Sequence, residues 1–528
     1  MQPQLQSPQA HPRRWTILGV LVLSLLVVVL DNTVLNVAMR TIADPIHGLG
    51  ATQAELEWSI NSYTLVFAGL LFTAGILGDR FGRRRILLIG LVVFGLASVA
   101  SGFADSPAQL IWARALMGIG GAAVLPSTLS IISNVFDPRE RGKAIGIWAG
   151  AVGLGVAIGP VVGGALLEKF WWGSVFLINV PIIVVGVVLV SVLVPESKNP
   201  NPGRIDLPGV LLSIAGLMAL VYGIIDGGEH GFGRPLVWLS IVGGLAIIAV
   251  FVWHERRSDH PSLDVKLFSD ARFSAAVGSV GLVFFAAMGM MFFLAFYLQL
   301  VRGYTPLQAG LLMTPFAAAQ LIFAPQSAGM VRRFGPKAVC AAGLALVTIG
   351  LLGFSFVGAT TPIWVLMVLT FVQGAGMANV IPPATESIMS SLPREKAGVG
   401  SAVSNTVRQI GGALGVAILG SVLSAVYRGQ ISDAAVLNDL AGPDKALAGE
   451  SISGAYGVAA HLGAAGGPLV SSANDAFVAA MHWAAGGSAL VGFVSILVAL
   501  AWLPKQANPH HQAPAQPVKP ALELAEQR

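Results

Sequence analysis

Of the chain's 528 residues, 55% are hydrophobic and 11% charged, with a mean hydropathy of +0.75 and a formal charge of +5. A soluble domain carries roughly 25% charged residues, so composition excludes one and implies an integral membrane protein. Cys340 stands alone, which excludes an intrachain disulfide, and the nine histidines are nowhere paired at metal-ligand spacing. Neither a metal nor a cofactor is expected.

Fourteen apolar stretches follow in chain order, each near the ~20 residues that a bilayer-spanning helix needs. They lie near 15–38, 56–78, 86–104, 107–134, 142–166, 174–194, 207–226, 235–253, 272–297, 307–328, 336–356, 362–388, 399–425 and 478–503. The first is longer than a secretory h-region and has no cleavage-like ending, so it reads as a span. Between the last two lies an Ala- and Gly-rich segment, 427–476, read as an external loop. The tail, 504–528, is rich in Pro, Gln and Ala and reads as disordered.

Lys and Arg placement sets the expected orientation. One set of alternate loops, with both termini, holds 23 of the 31 basic residues, among them Arg13, Arg14, Arg80, Arg83 to Arg85, Arg256, Arg257, Arg332 and Arg333. Arg40, Lys169, Arg234, Arg302, Arg428 and Lys445 make up the opposite set. Both termini are therefore expected in the cytoplasm, with the chain in the cytoplasmic membrane. The isoelectric point of about 9.4 is then a topology signal, and no nucleic-acid partner is implied.

The chain repeats itself. DRFGRRR at 79–85 is echoed by RRFGPK at 332–337, PRER at 138–141 by PREK at 393–396, and LGVAI occurs at 154–158 and 414–418. The expected organisation is an all-α membrane fold of two related halves. It comprises a short N-terminus (1–14), a six-helix bundle (15–194), a linker with two inserted spans (195–271) and a second six-helix bundle (272–503). Two related halves are what a secondary transporter has, with its binding site between them.

Single residues carry the chemistry. LDNTVLNVA, Leu30 to Ala38, places Asp31 inside an apolar helix, where a carboxylate is costly and so a functional candidate. LIWARALMGIGGAA, Leu110 to Ala123, places Arg114 inside another. At ~1.5 Å per residue, Asp31 lies roughly 25 Å up its span and Arg114 about 10 Å down its own, so a pair is geometrically possible. Nearby, Arg114 favours ionised Asp31, whereas separation or desolvation favours protonation. A static ion pair that fixes the fold is the competing reading. Glu386 and Arg408 form a second, weaker candidate pair.

In GILGDRFGRRR, Gly75 to Arg85, Gly82 permits a tight turn, and Asp79 can cap a helix or pair with an arginine. Positive-inside anchoring would produce the same basic loop. In GVAIGPVVGG, Gly155, Gly159 and Gly163 fall on one helix face and allow close contact, while Pro160, before Gly164, favours a kink. FFAAMGMMFFLAFYLQ, Phe284 to Gln299, supplies soft, adaptable side chains: Met288, Met291, Phe292, Phe296 and Tyr297 are substrate-binding candidates, with Asn36. Most residues of that stretch also suit a packing or lipid-facing helix.

Together these motifs resemble the fourteen-span drug:proton antiporters of the major facilitator superfamily, over nearly the whole chain. The resemblance implies alternating-access export of small amphipathic or lipophilic compounds against protons, by a monomer in contact with membrane lipid. It implies a conformational latch at Gly75, Asp79, Arg80, Gly82 and Arg83, and an antiporter motif at Gly155, Gly159, Pro160, Gly163 and Gly164. Departures exist: Met117 where the family often has Gln, and Met39-Arg40 where it ends in Leu-Pro. A dedicated exporter of one metabolite (an antibiotic, siderophore or amino acid) fits the same motifs. A membrane enzyme or lipid-handling protein is the remote alternative, because no clustered nucleophile, base or metal site is present, nor a GxxxxGK[ST] loop.

Overall fold

The computed structural model of the chain describes residues 12–198, 206–258, 261, 263, 265–390 and 397–503, and each of the fourteen apolar stretches lies on a helix. In the first half these are α1 (Arg14–Ala43), α2 (Gln53–Phe81), α3 (Arg83–Gly102), α4 (Pro107–Val135), α5 (Pro138–Lys169) and α6 (Ser174–Leu193). An inserted pair follows, α7 (Leu207–His230) and α8 (Pro235–Arg257). The second half holds α9 (Ala271–Phe296), a broken α10 (Pro306–Leu311 and Thr314–Phe334), α11 (Pro336–Phe354), α12 (Ile363–Ser390), α13 (Ala397–Ser432) and α14 (Gly467–Trp502). Among the described residues, twelve helical spans are long and apolar enough to cross a membrane, or thirteen with the bent α2. The expected count of fourteen is thus not reached on that measure; α5, several of whose side chains are not described, is the helix left over.

Local chemistry sets the helix starts. Thr52 and Glu55 form a reciprocal capping box at α2, and Thr305 and Gln308 form another at α10. Ser106 and Asp206 cap α4 and α7 with their side-chain oxygens, each beside a proline in the first turn. Between α2 and α3 the chain reverses at Gly82 (φ 116°), and between α10 and α11 at Gly335 (φ 82°). Only glycine enters that region cheaply, so the sequence echo is a repeat of geometry.

Packing repeats too. α2 and α3 pack on α4 as α10 and α11 pack on α12, and α1 meets α5 as α9 meets α13. The halves join where α2 meets α13, α5 meets α10 and α1 meets α9, and α7 lies against both α2 and α13. We call the end of the bundle where α1 starts the near face and the other the far face. Inter-half bonds cluster toward the far face: Thr305 donates to Glu168 at 2.9 Å, and Gln299 to the Val37 carbonyl at 2.9 Å.

The segment 427–476 is not a loop. α13 continues to Ser432, short helices occupy Gly442–Glu450 and Ile452–Leu462, and α14 starts at Gly467 instead of near 478. Alanine is the best helix former, and the break before α14 falls at glycines, including Gly463 at φ 58°. Tyr456 ties this cap to the turn that follows α9, Tyr297–Val301, by donating to the Leu300 carbonyl at 2.7 Å. The tail beyond 503 lies outside the described residues.

The glycine stripe of α5 is a helix contact. A Cβ on Gly155 would sit 2.8 Å from Val29 Cγ1, one on Gly163 2.8 Å from Val34 Cγ1, and one on Gly159 inside the Thr33 hydroxyl. α1 thus rests directly on the α5 backbone beside Asp31. Overpacking such a contact costs about 1–3 kcal/mol. Gly159→Val should therefore lower the thermal unfolding temperature of purified protein. Gly487→Ala, which faces open space, should leave it within a degree or so of wild type.

Candidate functional site

Asp31 and Arg114 are 2% and 1% exposed, and they form a direct ion pair between α1 and α4. The second carboxylate oxygen of Asp31 accepts from Asn179 Nδ2 of α6 at 3.2 Å, and the same amide donates to Ser98 of α3 at 3.0 Å. Arg114 Nε donates to the Ser59 carbonyl of α2 at 3.0 Å. Its guanidinium lies 4.5 Å from the Tyr63 ring centre and 6.0 Å from that of Phe176. Tyr63 in turn accepts from Asn32 at 3.2 Å. Five of the six helices of the first half therefore meet at one carboxylate–guanidinium pair.

Both charges have left water, and their attraction repays that only with further hydrogen bonds and good geometry. Asn179, the Ser59 carbonyl and the Tyr63 face supply them. A planar guanidinium suits this place better than an ammonium, because it bonds at its edge while its face stacks on an aromatic ring.

The turn between α2 and α3 is tied within the first half. Asp79 accepts from Arg83 at 2.9 Å, and Arg83 reaches the Ser130 carbonyl of α4 at 3.4 Å. Glu196, after α6, accepts the Arg84 amide at 3.1 Å. Gly75 faces Pro126 at ordinary contact distance, and Arg80 lies exposed over Phe81. Gly164 of α5 meets the backbone of Pro306 and Leu307, and Gly310 meets the Pro160 carbonyl, so this end of the glycine-rich motif presses on the second half.

The other candidates are not gathered in one place. Phe292, Phe296 and Tyr297 are fully buried: the two phenylalanines pack edge to face at 5.7 Å, and Tyr297 donates to the Gly358 carbonyl at 2.8 Å. In this conformation they cannot touch a ligand. Asn36, Met288 and Met291 are half-buried. Arg408 stacks over Phe284 at 4.9 Å, and its Nε has no hydrogen-bond partner among the described residues. The Glu386 side chain lies outside the described residues, so that pairing stays open. No cluster of three His, Cys, Asp or Glu able to hold a metal occurs among the described residues.

Sequence reasoning missed Asn179, Ser98, Tyr63 and Asn32. Asn179 and Asn32 had a legible signal, an amide inside an otherwise apolar span. The Ser59 contact uses a backbone carbonyl and had none.

A family model described as Major Facilitator Superfamily matches residues 21–416. The chain belongs to that superfamily. Within it, the chain is 38% identical over 470 residues to the multidrug efflux pump LfrA of Mycolicibacterium smegmatis, covering 88% of this chain and 91% of that one. It is 32% identical to the tetracenomycin C resistance and export protein of Streptomyces glaucescens, covering 96% and 95%. The fold is similar to that of a bacterial homolog of the human lysosomal transporter Spinster, solved inward-facing and unoccupied. There the TM-score is 0.66 at 18% identity, over 95% of this chain and 100% of that one. This major facilitator protein is a multi-pass membrane transporter and not an enzyme.

Leaving one charge of a buried pair alone costs about 3–5 kcal/mol, whereas losing both is far milder. Arg114→Gln should therefore lower the unfolding temperature strongly, and Asp31→Asn with Arg114→Gln should recover most of the loss. Asn179→Ala, which removes one amide contact, should cost about 1–3 kcal/mol. Thermal unfolding of the purified variants in one detergent checks all three.

Proposed function

We propose that this chain is a proton-coupled antiporter that exports small amphipathic or lipophilic drugs across the cytoplasmic membrane by alternating access. The observation that carries this reading is the buried Asp31–Arg114 pair, fixed by Asn179, on a helix that packs through bare glycine on α5. Intramembrane ionisable residues are functional candidates by default. The relatives named for multidrug efflux and for antibiotic export support the substrate class.

In this reading both termini and the near face are cytoplasmic, following the Lys and Arg excess. Protonating Asp31 removes its charge, so Arg114 is left with neutral neighbours: the Ser59 carbonyl, the Met117 sulfur and the Tyr63 and Phe176 faces. Deprotonation restores the pair. An exchange cycle needs those two states to alternate with substrate occupancy, and a shift of α1 against α4 and α5 is the motion that would do it. Protons are the coupling ion, no cofactor takes part, and the monomer surrounded by lipid is the working unit. Asp79, Arg83 and Gly82 act as the latch on the cytoplasmic side.

Inside-out membrane vesicles carrying an imposed pH gradient provide the test. Adding amphipathic cations or neutral antibiotics should dissipate the gradient with wild type and leave it intact with Asp31→Asn. Equal dissipation by both proteins would move the proton site away from Asp31. A response to a single compound would instead favour a dedicated exporter, the reading that the tetracenomycin C relative makes specific.

A further inference from the structure

Gln299 is a buried amide that crosses between the two halves. It is 1% exposed, and its Nε2 donates at 2.9 Å to the Val37 carbonyl of α1. Its Oε1 is buried with no hydrogen-bond partner among the described residues. A leucine would fill similar space without leaving a polar atom unpaired, and such atoms are costly. Packing therefore does not account for a glutamine here, whereas a directed bond across the seam does.

The backbone around Gln299 is fixed to the second half. Tyr297–Val301 forms a single π-helical turn, closed by the Arg302 amide on the Tyr297 carbonyl at 3.0 Å. Such turns are rare and often mark functional sites. Tyr297 donates to the Gly358 carbonyl at 2.8 Å, and Arg302 to the Ala359 carbonyl at 3.0 Å. Tyr456, on the short helix Ile452–Leu462, donates to the Leu300 carbonyl at 2.7 Å. From a turn anchored in this way, the Gln299 side chain reaches over to the first half. Val37 lies six residues beyond Asp31 on the same helix, roughly 9 Å along its axis. Between them, Val34 rests on Gly163 of α5.

We propose that Gln299 is a positioning residue that couples closure of the far face to α1, and so to Asp31. With the far face closed, the π-helical turn grips Val37 and holds α1 where Asp31 meets Arg114. When the seam parts, the amide leaves the carbonyl and bonds to water. A carbonyl within a helix keeps its backbone partner, so neither side is left with an orphan. α1 is then released to move on the glycine stripe of α5. The proposal rests on the exporter reading, because only a seam that parts gives this bond two states.

Spin labels at Asp105→Cys and Gln430→Cys, both exposed at the far face of opposite halves, report opening once Cys340 is replaced by Ala. The ratio of long to short distances would be measured in lipid nanodiscs. Gln299→Glu is the main variant: its protonated acid can donate to Val37 as the amide does, whereas its carboxylate cannot. From pH 5 to pH 9 its ratio, divided by that of the labelled parent, should rise about tenfold or more, because an unpaired buried charge is costly. Arg40, Glu168, Arg302, Tyr304 and Tyr456 belong to this end of the bundle in both proteins, so the quotient removes their response. Gln299→Leu, with nothing to titrate, should give a flat quotient. Asp31→Asn should change the ratio severalfold in the parent and far less beside Gln299→Leu, since coupled residues are non-additive. A flat quotient for Gln299→Glu, or an Asp31→Asn effect that is the same with and without Gln299→Leu, would overturn the proposal. The vesicle assay separates the two readings. If exchange fails with Asp31→Asn while the Gln299→Glu quotient stays flat, only the Gln299 proposal falls. If Asp31→Asn exchanges like wild type, it is the Asp31 reading that falls.

Discussion

The first half is organised around one ion pair in an apolar bundle. Asp31 and Arg114 have almost no contact with water, and each is useless or harmful to the fold without the other. That requirement explains neighbours which otherwise look unrelated. Asn179 crosses from α6 to reach the carboxylate, and α2 offers a backbone carbonyl and a tyrosine face to the guanidinium. Five helices are thereby held in register by a group whose charge a single proton can cancel.

Glycine provides the complementary constraint. In the proposed cycle the ion pair forms and breaks, and that needs helices able to shift against each other without interlocking side chains. The Gly155, Gly159 and Gly163 stripe gives α1 such a surface, next to Thr33 and two positions from Asp31. At its far end the same helix meets the second half through Gly164 and Gly310. α5 therefore touches the charged site with one stretch and the inter-half seam with another. A movement of α1 on α5 is felt at both.

Much of this was legible in the chain. Apolar run length located the helices, and the DRFG and RRFG echoes located two turns whose glycines both adopt positive φ. The depth of Asp31 and Arg114, counted from loop residues, allowed the pair that the structure contains. What stayed hidden has physical reasons. The 427–476 segment was read as a loop because its apolar runs are short, yet alanine-rich sequence folds into helices wherever a surface is there to pack on. Phe292, Phe296 and Tyr297 looked like binding residues by composition, but side-chain direction on α9, which composition does not encode, buries them.

The central claim is that substrate and proton compete through Asp31. Proton release on substrate binding tests it most directly, with purified protein in weakly buffered detergent solution and a pH-sensitive dye. The account predicts that an exported amphipathic compound displaces protons from wild type, and none from Asp31→Asn although that variant still binds the compound. Equal proton release from both proteins would contradict it.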